Sequence, residues 1–380
     1  MKILIYHSVS LRYSGGAETS LLVLSRALTN LGIHVTIVTT NFDGRPSGYS
    51  PLHWSDISNY LSGARLLEVP YLYLPPGTVV PAPSGIKRLF EEFKEHDVLH
   101  FINYFGLNDI IIYTIQRHIN KPVVSSLQTP LFHDKIYYNL YVKSIGLLLL
   151  NKFNANCVLN NKELSNLIAR GVKNVHVVPN AVDTNLFKPE PKRRKDDVFR
   201  ILLVSRLDKR KGLELLWDIL NGLRKYLSNY EFVIAGAGPM IDVIEKLKSN
   251  FNEVRYLGSV PYTRMPNVYN MCDVALSLSM WGTFSMVAAE AHACGLPVIG
   301  WDNEPNSEIV INGLTGRLVP LGDVVGIVKS LLYYYNIWKD CPSCFTILSK
   351  KAREISEINF SGPAVAKRLI DVYRTVLNYT

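Results

Sequence analysis

A chain of 380 residues is longer than one ordinary hydrophobic core organises, so two domains are expected. Its apolar stretches fall short of the roughly 18 residues a membrane span needs, and Met1-Lys2-Ile3-Leu4-Ile5-Tyr6 passes into polar residues without a signal-peptide pattern; a cytoplasmic protein is expected, with contact at the inner membrane face left open. The formal charge of +9, from 41 basic and 32 acidic residues, favours anionic partners such as phosphates and acidic lipid headgroups, or serves solubility alone; with no reader motif present, nucleic acid is not expected as a partner.

The chain opens as strand, glycine turn, helix, strand. Lys2 to Tyr6 is an apolar run of strand length, Gly15-Gly16 marks a turn, Leu21, Leu24, Leu28 and Leu31 repeat at helical spacing, and His34 to Thr39 is β-branched. This βαβ start predicts a parallel sheet. Further strands are expected at Asp97–Phe101, Pro122–Leu127, Asn156–Leu159 and Val175–Val178. The stretch from Asp43 to Ser84, rich in Pro, Gly, Ser and Tyr, reads as a long excursion that contributes to an acceptor site. Tyr137 to Leu150, with Lys143 beside an apolar run, reads as a buried core helix ahead of an interfacial one.

Pro189 to Asp197 is charged and broken by proline, as a domain linker is. After it the α/β pattern restarts: a strand at Phe199–Val204, a helix from Gly212 to Leu227, and strands at Glu231–Ala235, Val274–Leu278 and Pro297–Gly300. The expected domains are 1–185 and 186–360, with a last helix, about 361–380, that can pack back on the first. Five cysteines argue against a disulfide framework, and Cys341-Pro342-Ser343-Cys344 has redox spacing without the leading strand of a thioredoxin-like site. No metal site is expected.

Four groups of residues carry candidate chemistry. Arg206 and Lys211 follow a strand and precede a helix, where a cationic loop can clamp a diphosphate, or simply be solvated surface. Gly15 and Gly16 let the backbone approach a phosphate or sugar, or form a plain tight turn. Thr283, Phe284, Ser285 and Met286 run into a helix whose first N–H groups point outward. Glu290 lies two turns inside that helix, placed to accept ribose hydroxyls, or else as a surface glutamate.

Six segments in order resemble glycosyltransferase family 4, and the resemblance spans nearly the whole chain. They are Gly15-Gly16-Ala17-Glu18, Val178 to Phe187, Arg206 with Lys211-Gly212, Gly236-Ala237-Gly238-Pro239, Tyr256 to Val260, and Glu290 to Ile299. The resemblance implies the GT-B architecture: α/β, two tandem Rossmann-like parallel-sheet domains facing across a cleft. It implies a retaining transfer of a sugar from a nucleotide-sugar, such as a UDP- or GDP-sugar, to a glycan, lipid-linked or small-molecule acceptor, with neither metal nor cofactor. By the same resemblance, Arg206 and Lys211 neutralise the leaving diphosphate, Glu290 binds the ribose, Thr283 to Met286 give amides to the phosphates and sugar, Ser259 and Val260 lie near the base, and Gly16 lies near the diphosphate.

Two positions depart from the family pattern. Gly282 stands where the family has the first of two glutamates, and Gln128 stands where it often has a histidine, with His133 close by as a substitute near the acceptor. These departures motivate an alternative: a catalytically impaired GT-B protein that binds nucleotide-sugar or acts as a partner subunit.

Overall fold

The computed structural model describes residues 1–12, 15–42, 54–61, 63–74, 78–103, 105–131, 136–190 and 196–378. Among these, residues 1–42, 54–181 and 362–378 form one compact unit and residues 182–361 a second.

The first unit contains strands β1 (Lys2–His7), β2 (His34–Thr40), β3 (Arg65–Val69), β4 (Tyr71–Leu74), β5 (Thr78–Pro81), β6 (Val98–Asn103), β7 (Val123–Leu127), β8 (Ala155–Val158) and β9 (Val175–Val177). Seven of them make a sheet in the order β3-β2-β1-β6-β7-β8-β9, parallel throughout, while β4 and β5 form a separate antiparallel hairpin. Ile3 to Tyr6 and Val98 to Leu99 are fully buried, as strands covered on both faces must be, which is why they read as continuous apolar runs.

Part of the expected excursion is integral structure. β3, from Arg65 to Val69, pairs with β2 and extends the sheet. Its half-exposed positions give it no apolar run to betray it. The segment after Ile136 is neither wholly buried nor wholly interfacial. A helix over Ile136–Tyr141 passes through a π-turn at Val142–Gly146 into Leu147–Leu150; Val142, Leu149 and Leu150 are buried, whereas Ile136, Tyr137, Leu140 and Leu148 face outward.

The helix Gly362–Asn378 completes the first unit. A Cβ on Gly362 would lie 3.1 Å from Val23 and 3.3 Å from Ala27, a close approach that glycine allows. Further along, Tyr373 Oη meets His100 Nδ1 at 2.5 Å, and His100 Nε2 meets Ser126 Oγ at 2.7 Å. Burial holds the imidazole's pKa down at about 3, so this polar chain is neutral and fully hydrogen-bonded, as a buried one needs to be.

The second unit has β10 (Phe199–Val204), β11 (Tyr230–Ala235), β12 (Val254–Tyr256), β13 (Val274–Ser277), β14 (Val298–Trp301) and β15 (Gly316–Val319), in the order β12-β11-β10-β13-β14-β15 and all parallel. This is the doubly wound Rossmann order, with its switch between β10 and β13. The helix expected from Gly212 starts later. Gly212 is left-handed at φ 66° and closes a 3-10 turn over Lys209–Lys211; a second such turn, Leu213–Leu215, leads into the helix Leu216–Arg224. Of the cysteines, Cys341 and Cys344 are joined in one local disulfide, which the sequence reading did not predict although it noted their redox spacing, and Cys157, Cys272 and Cys294 are buried thiols.

Backbone packs on backbone at the strand ends of this unit. Gly236 and Gly238 adopt φ of 138° and 159°; a Cβ on Gly236 would overlap the Ser205 carbonyl oxygen, and one on Gly238 would lie 2.5 Å from that of Leu207. Replacing Gly238 with alanine is expected to cost roughly 3 kcal/mol, because the obstacle is main chain and cannot rotate away. Urea unfolding of Gly238→Ala beside Gly322→Ala, where a Cβ meets nothing within 4 Å, separates the clash from the positive-φ strain common to both.

Candidate functional site

Open parallel sheets bind ligands beyond the carboxyl ends of their strands at the switch point. In the second unit that place is framed by the loops after β10 and β13, and the loops after β11 and β12 close one side. Leu207 donates its N–H to Ala237 O at 2.9 Å, Met240 returns one to Leu207 O at 3.0 Å, and Gly236 donates to Gly258 O at 2.8 Å. The Gly236-Ala237-Gly238 turn therefore holds the Arg206 loop directly.

Lys211 is the half-buried cation of the site. Its Nζ donates to Ser279 Oγ at 2.9 Å, which ties the loop after β10 to the loop after β13, and burial lowers its pKa to about 8. Arg206 donates from Nε to Asp208 Oδ2 at 2.6 Å and also pairs with it through Nη2. Asp208 Oδ1 caps the 3-10 turn by accepting from Arg210 N at 3.0 Å, and the Arg210 guanidinium lies 5.4 Å from the centre of the Trp281 ring. Three cations and one carboxylate thus lie together beside a strand end, with a net positive charge. Neither the bracing hydroxyl of Ser279 nor the pairing role of Asp208 was legible in the sequence.

The loop after β13 is fastened to the loop after β14. Asn306, fully buried, accepts from Ser277 Oγ at 2.6 Å and donates to Trp301 O at 3.1 Å, while Asn303 donates to Ser279 O at 2.8 Å. These bonds fix where the helix Met286–Ala293 begins. Ser285 is its N-cap, accepting from Ala288 N at 3.2 Å. The N–H of Ser285 itself is bound to Pro305 O at 2.9 Å, so the expectation of free amides throughout Thr283 to Met286 does not hold at Ser285. The amides of Phe284, Met286 and Val287 have no acceptor among the described residues.

Glu290 is buried, not a surface glutamate, and burial raises its pKa to about 7. Tyr269 Oη donates to its Oε2 at 2.8 Å, a partner on another helix that the sequence did not suggest. Gly282 has φ 149°, a backbone that L side chains rarely adopt, although a Cβ there would meet only Pro305 at 3.8 Å. The obstacle to a carboxylate at this position is therefore conformational, not steric.

Ser259 is exposed and Val260 half-buried, just past the end of β12 and beyond Gly258. In the first unit Gly15 is the N-cap of the helix Gly16–Asn30, which follows β1 at that sheet's own switch between β1 and β6. Glu18, in the first turn, is buried 3.7 Å from His7 Nε2. Gln128, one residue past β7, lines a small cavity of about 20 Å³ with Ser20, His100, Ser126 and Asn180. His133 lies outside the described residues. Larger cavities occur in both units, but at the amino ends of the strands, away from these loops.

Glu290 makes stability depend on pH. Its native pKa of about 7 exceeds the ordinary 4.5, so the folded protein binds more protons than the unfolded chain between those values. Its contribution is fully present below pH 4.5 and is lost as pH rises through 7, by about 3 kcal/mol at 1.36 kcal/mol per pH unit. Glu290→Gln is expected to flatten this slope in urea unfolding measured from pH 5 to pH 8.

Comparison with known proteins agrees with the two-unit division of the strands. Residues 14–186 match the model described as Glycosyltransferase Family 4, and residues 185–344 the model described as Glycosyl transferases group 1. Among curated relatives, a phosphatidylinositol N-acetylglucosaminyltransferase subunit of Arabidopsis thaliana is 25% identical over 296 residues, covering 74% of this chain and 63% of that one. The Homo sapiens protein of the same name is 29% identical, covering 75% and 58%. The chain thus spans less than two thirds of the length of these relatives. Among solved structures, sucrose-phosphate synthase from Thermosynechococcus elongatus superposes with a TM-score of 0.77 at 19% identity, covering 100% of both chains. Anabaena Alr3699/HepE in complex with UDP superposes at 0.76 with 18% identity, covering 99% of this chain and 100% of that one. With matches running end to end from residue 14 to residue 344 and two Rossmann-like parallel sheets of the GT-B kind, the chain belongs to glycosyltransferase family 4.

Proposed function

We propose that this protein is a retaining hexosyltransferase that takes its sugar from a nucleoside diphosphate sugar. The observation that carries the reading is that Arg206 and half-buried Lys211 stand on the loop after β10, and buried Glu290 on the helix after β13, the two strands that flank the switch point of the second sheet. A nucleotide-sugar carries the complementary groups: a diphosphate for the two cations and ribose hydroxyls for the carboxylate. The amides of Phe284 and Met286 face the phosphates and donor sugar, and Ser259 and Val260 take the base. The similar Anabaena structures solved in complex with UDP favour a uridine nucleotide.

In the reaction so proposed, the bond between the anomeric carbon and the diphosphate oxygen breaks while the acceptor oxygen bonds to the same face of that carbon. The acceptor's proton passes to the departing phosphate oxygen. Arg206 and Lys211 stabilise the charge that grows on the diphosphate, so neither a metal nor a general-base carboxylate is needed. Gln128 lies on the acceptor side of this scheme.

The test is a panel of nucleotides and nucleotide-sugars, with binding read by thermal shift and turnover by release of nucleoside diphosphate. One donor is expected to bind and be slowly hydrolysed. Arg206→Ala is expected to lower turnover by about 10²–10³-fold. Failure of every nucleotide to bind would overturn the reading; binding without turnover across candidate acceptors would favour the impaired protein or partner subunit that Gly282 suggests.

The same site implies a bell-shaped pH profile for nucleotide affinity. Affinity rises as Glu290 ionises near pH 7 and becomes an acceptor for both ribose hydroxyls, then falls as Lys211 loses its proton above about pH 8. Calorimetric titration of UDP across pH 6–9 is expected to show the maximum between these limits, and Glu290→Gln to remove the acid limb.

We further propose a lipid-linked acceptor and peripheral attachment to an anionic membrane. No helix among the described residues is long and apolar enough to cross a bilayer. What supports attachment is the face formed by Ile136, Tyr137, Leu140 and Leu148, exposed by 76%, 53%, 63% and 65%, with Lys143 exposed in the same segment. The relatives named for phosphatidylinositol point the same way. The protein is expected to float with phosphatidylglycerol-containing vesicles and not with neutral ones, and Leu140→Asp combined with Leu148→Asp to abolish flotation.

A further inference from the structure

We propose that Cys341 and Cys344 form a thiol–disulfide exchange site that accepts electrons from a dithiol reductant. They are joined across two residues at the start of the helix Pro342–Phe360, with Cys341 as its N-cap and Pro342 in its first turn. Cys344 is exposed and Cys341 half-buried, while the other three cysteines are buried thiols.

A cross-link stabilises a fold by restricting the unfolded chain, and its effect grows with the length of the loop it closes. This one closes the shortest loop that two intervening residues allow, inside a turn the helix already shapes, so it constrains little. Holding the fold is a poor account of it, and the chemistry of the two sulfurs is a better one.

The surroundings favour the reduced state at one sulfur. The Cys344 N–H points at Cys341 Sγ from 3.4 Å, and Ser343 Oγ lies 3.5 Å from the same sulfur. An amide and a hydroxyl at a helix start stabilise a thiolate, so Cys341 is the better leaving group. Access lies on the other side. Pro342 and Phe345 line a groove of about 1000 Å³ together with Tyr335 and Trp338, so the turn borders open space.

In the exchange, a thiolate of the reductant attacks the exposed Cys344 Sγ, the Cys341–Cys344 bond breaks, and Cys341 departs as a thiolate held by the Cys344 amide. The reductant's second thiolate then attacks its own sulfur in the mixed disulfide and expels Cys344. Two electrons enter the pair, each cysteine takes up a proton, and the reductant leaves as a disulfide.

The helix does not depend on the bond. Phe345 is buried in the second unit's core, Arg353 donates to Thr184 O at 2.9 Å and Ala293 O at 2.7 Å, and Ser356 Oγ donates to Ala289 O at 3.1 Å. Opening the disulfide therefore releases one turn at the rim of the groove and leaves the rest in place.

The full chain, purified without reductant, would be equilibrated natively with ratios of reduced to oxidised dithiothreitol, alkylated, and mapped by mass spectrometry. Cys341 and Cys344 are expected to become alkylated together as the ratio rises, to re-pair on return to oxidised dithiothreitol, and to leave Cys157, Cys272 and Cys294 unmodified. Two results would overturn the proposal: both cysteines alkylated even after oxidation, or a bond that opens only when the protein unfolds. The order of attack is tested by exposing the native disulfide to excess reduced glutathione, quenching with acid and mapping the adduct: the mixed disulfide is expected at Cys344, with Cys341 released as the free thiol. A mixed disulfide found chiefly at Cys341, or equally at both, would contradict the assigned roles of the two sulfurs.

Discussion

The second unit depends on main chain lying against main chain where its strands end. Gly236 and Gly238 let the turn after β11 press on the loop after β10, with Ser205 and Leu207 as the opposing carbonyls. No side chain separates the two segments, so their relative position has almost no freedom. Leu207 and Met240 then exchange amide bonds through that contact. Arg206 lies between two residues whose backbones are pinned in this way. A cation carried on an ordinary surface loop would sample many positions, whereas this one starts from a fixed root.

A second set of bonds repeats the device on the other side of the switch. Gly212 passes under Leu278, whose carbonyl would lie 2.8 Å from a Cβ at that position, and Lys211 reaches Ser279 from the same turn. Asn306 and Asn303 join the loops after β13 and β14 through buried amide groups. The topology explains why these loops meet at all. The chain leaves β10 in one direction, returns to build β13 on its other side, and so leaves a gap at the strand ends that only loops can fill.

The α/β class and the tandem Rossmann-like sheets were legible because buried parallel strands announce themselves as continuous apolar runs, as Ile201-Leu202-Leu203 and Val274-Ala275-Leu276 do. β3 escaped for the opposite reason: as a half-exposed edge strand it alternates too weakly to be seen. The start of the helix after Gly212 escaped because apolar spacing does not reveal a left-handed residue. In the site, the spacing of Arg206, Lys211 and Glu290 was visible, but their partners were not. Asp208 is local and reads as one more charge in a charged loop. Ser279 and Tyr269 are brought in by tertiary structure, and nothing in the linear order of a serine or a tyrosine marks it as the neighbour of a distant lysine or glutamate. The disulfide was missed because counting cysteines addresses frameworks, and a pair within one helical turn is not a framework.

The ion pair between Arg206 and Asp208 has a consequence for selectivity. In the protein without ligand the guanidinium already has an occupant, and that occupant is tethered two residues away, so it competes at a high and constant effective concentration. An incoming anion must displace it. A single carboxylate or monoanionic ion offers Arg206 nothing better than it holds. A group with more charge and more oxygen acceptors than Asp208 does, and it can also engage Lys211 while Asp208 turns to Arg210, 3.6 Å away. On the role proposed for Arg206, the aspartate acts as a built-in threshold that small cellular anions do not cross.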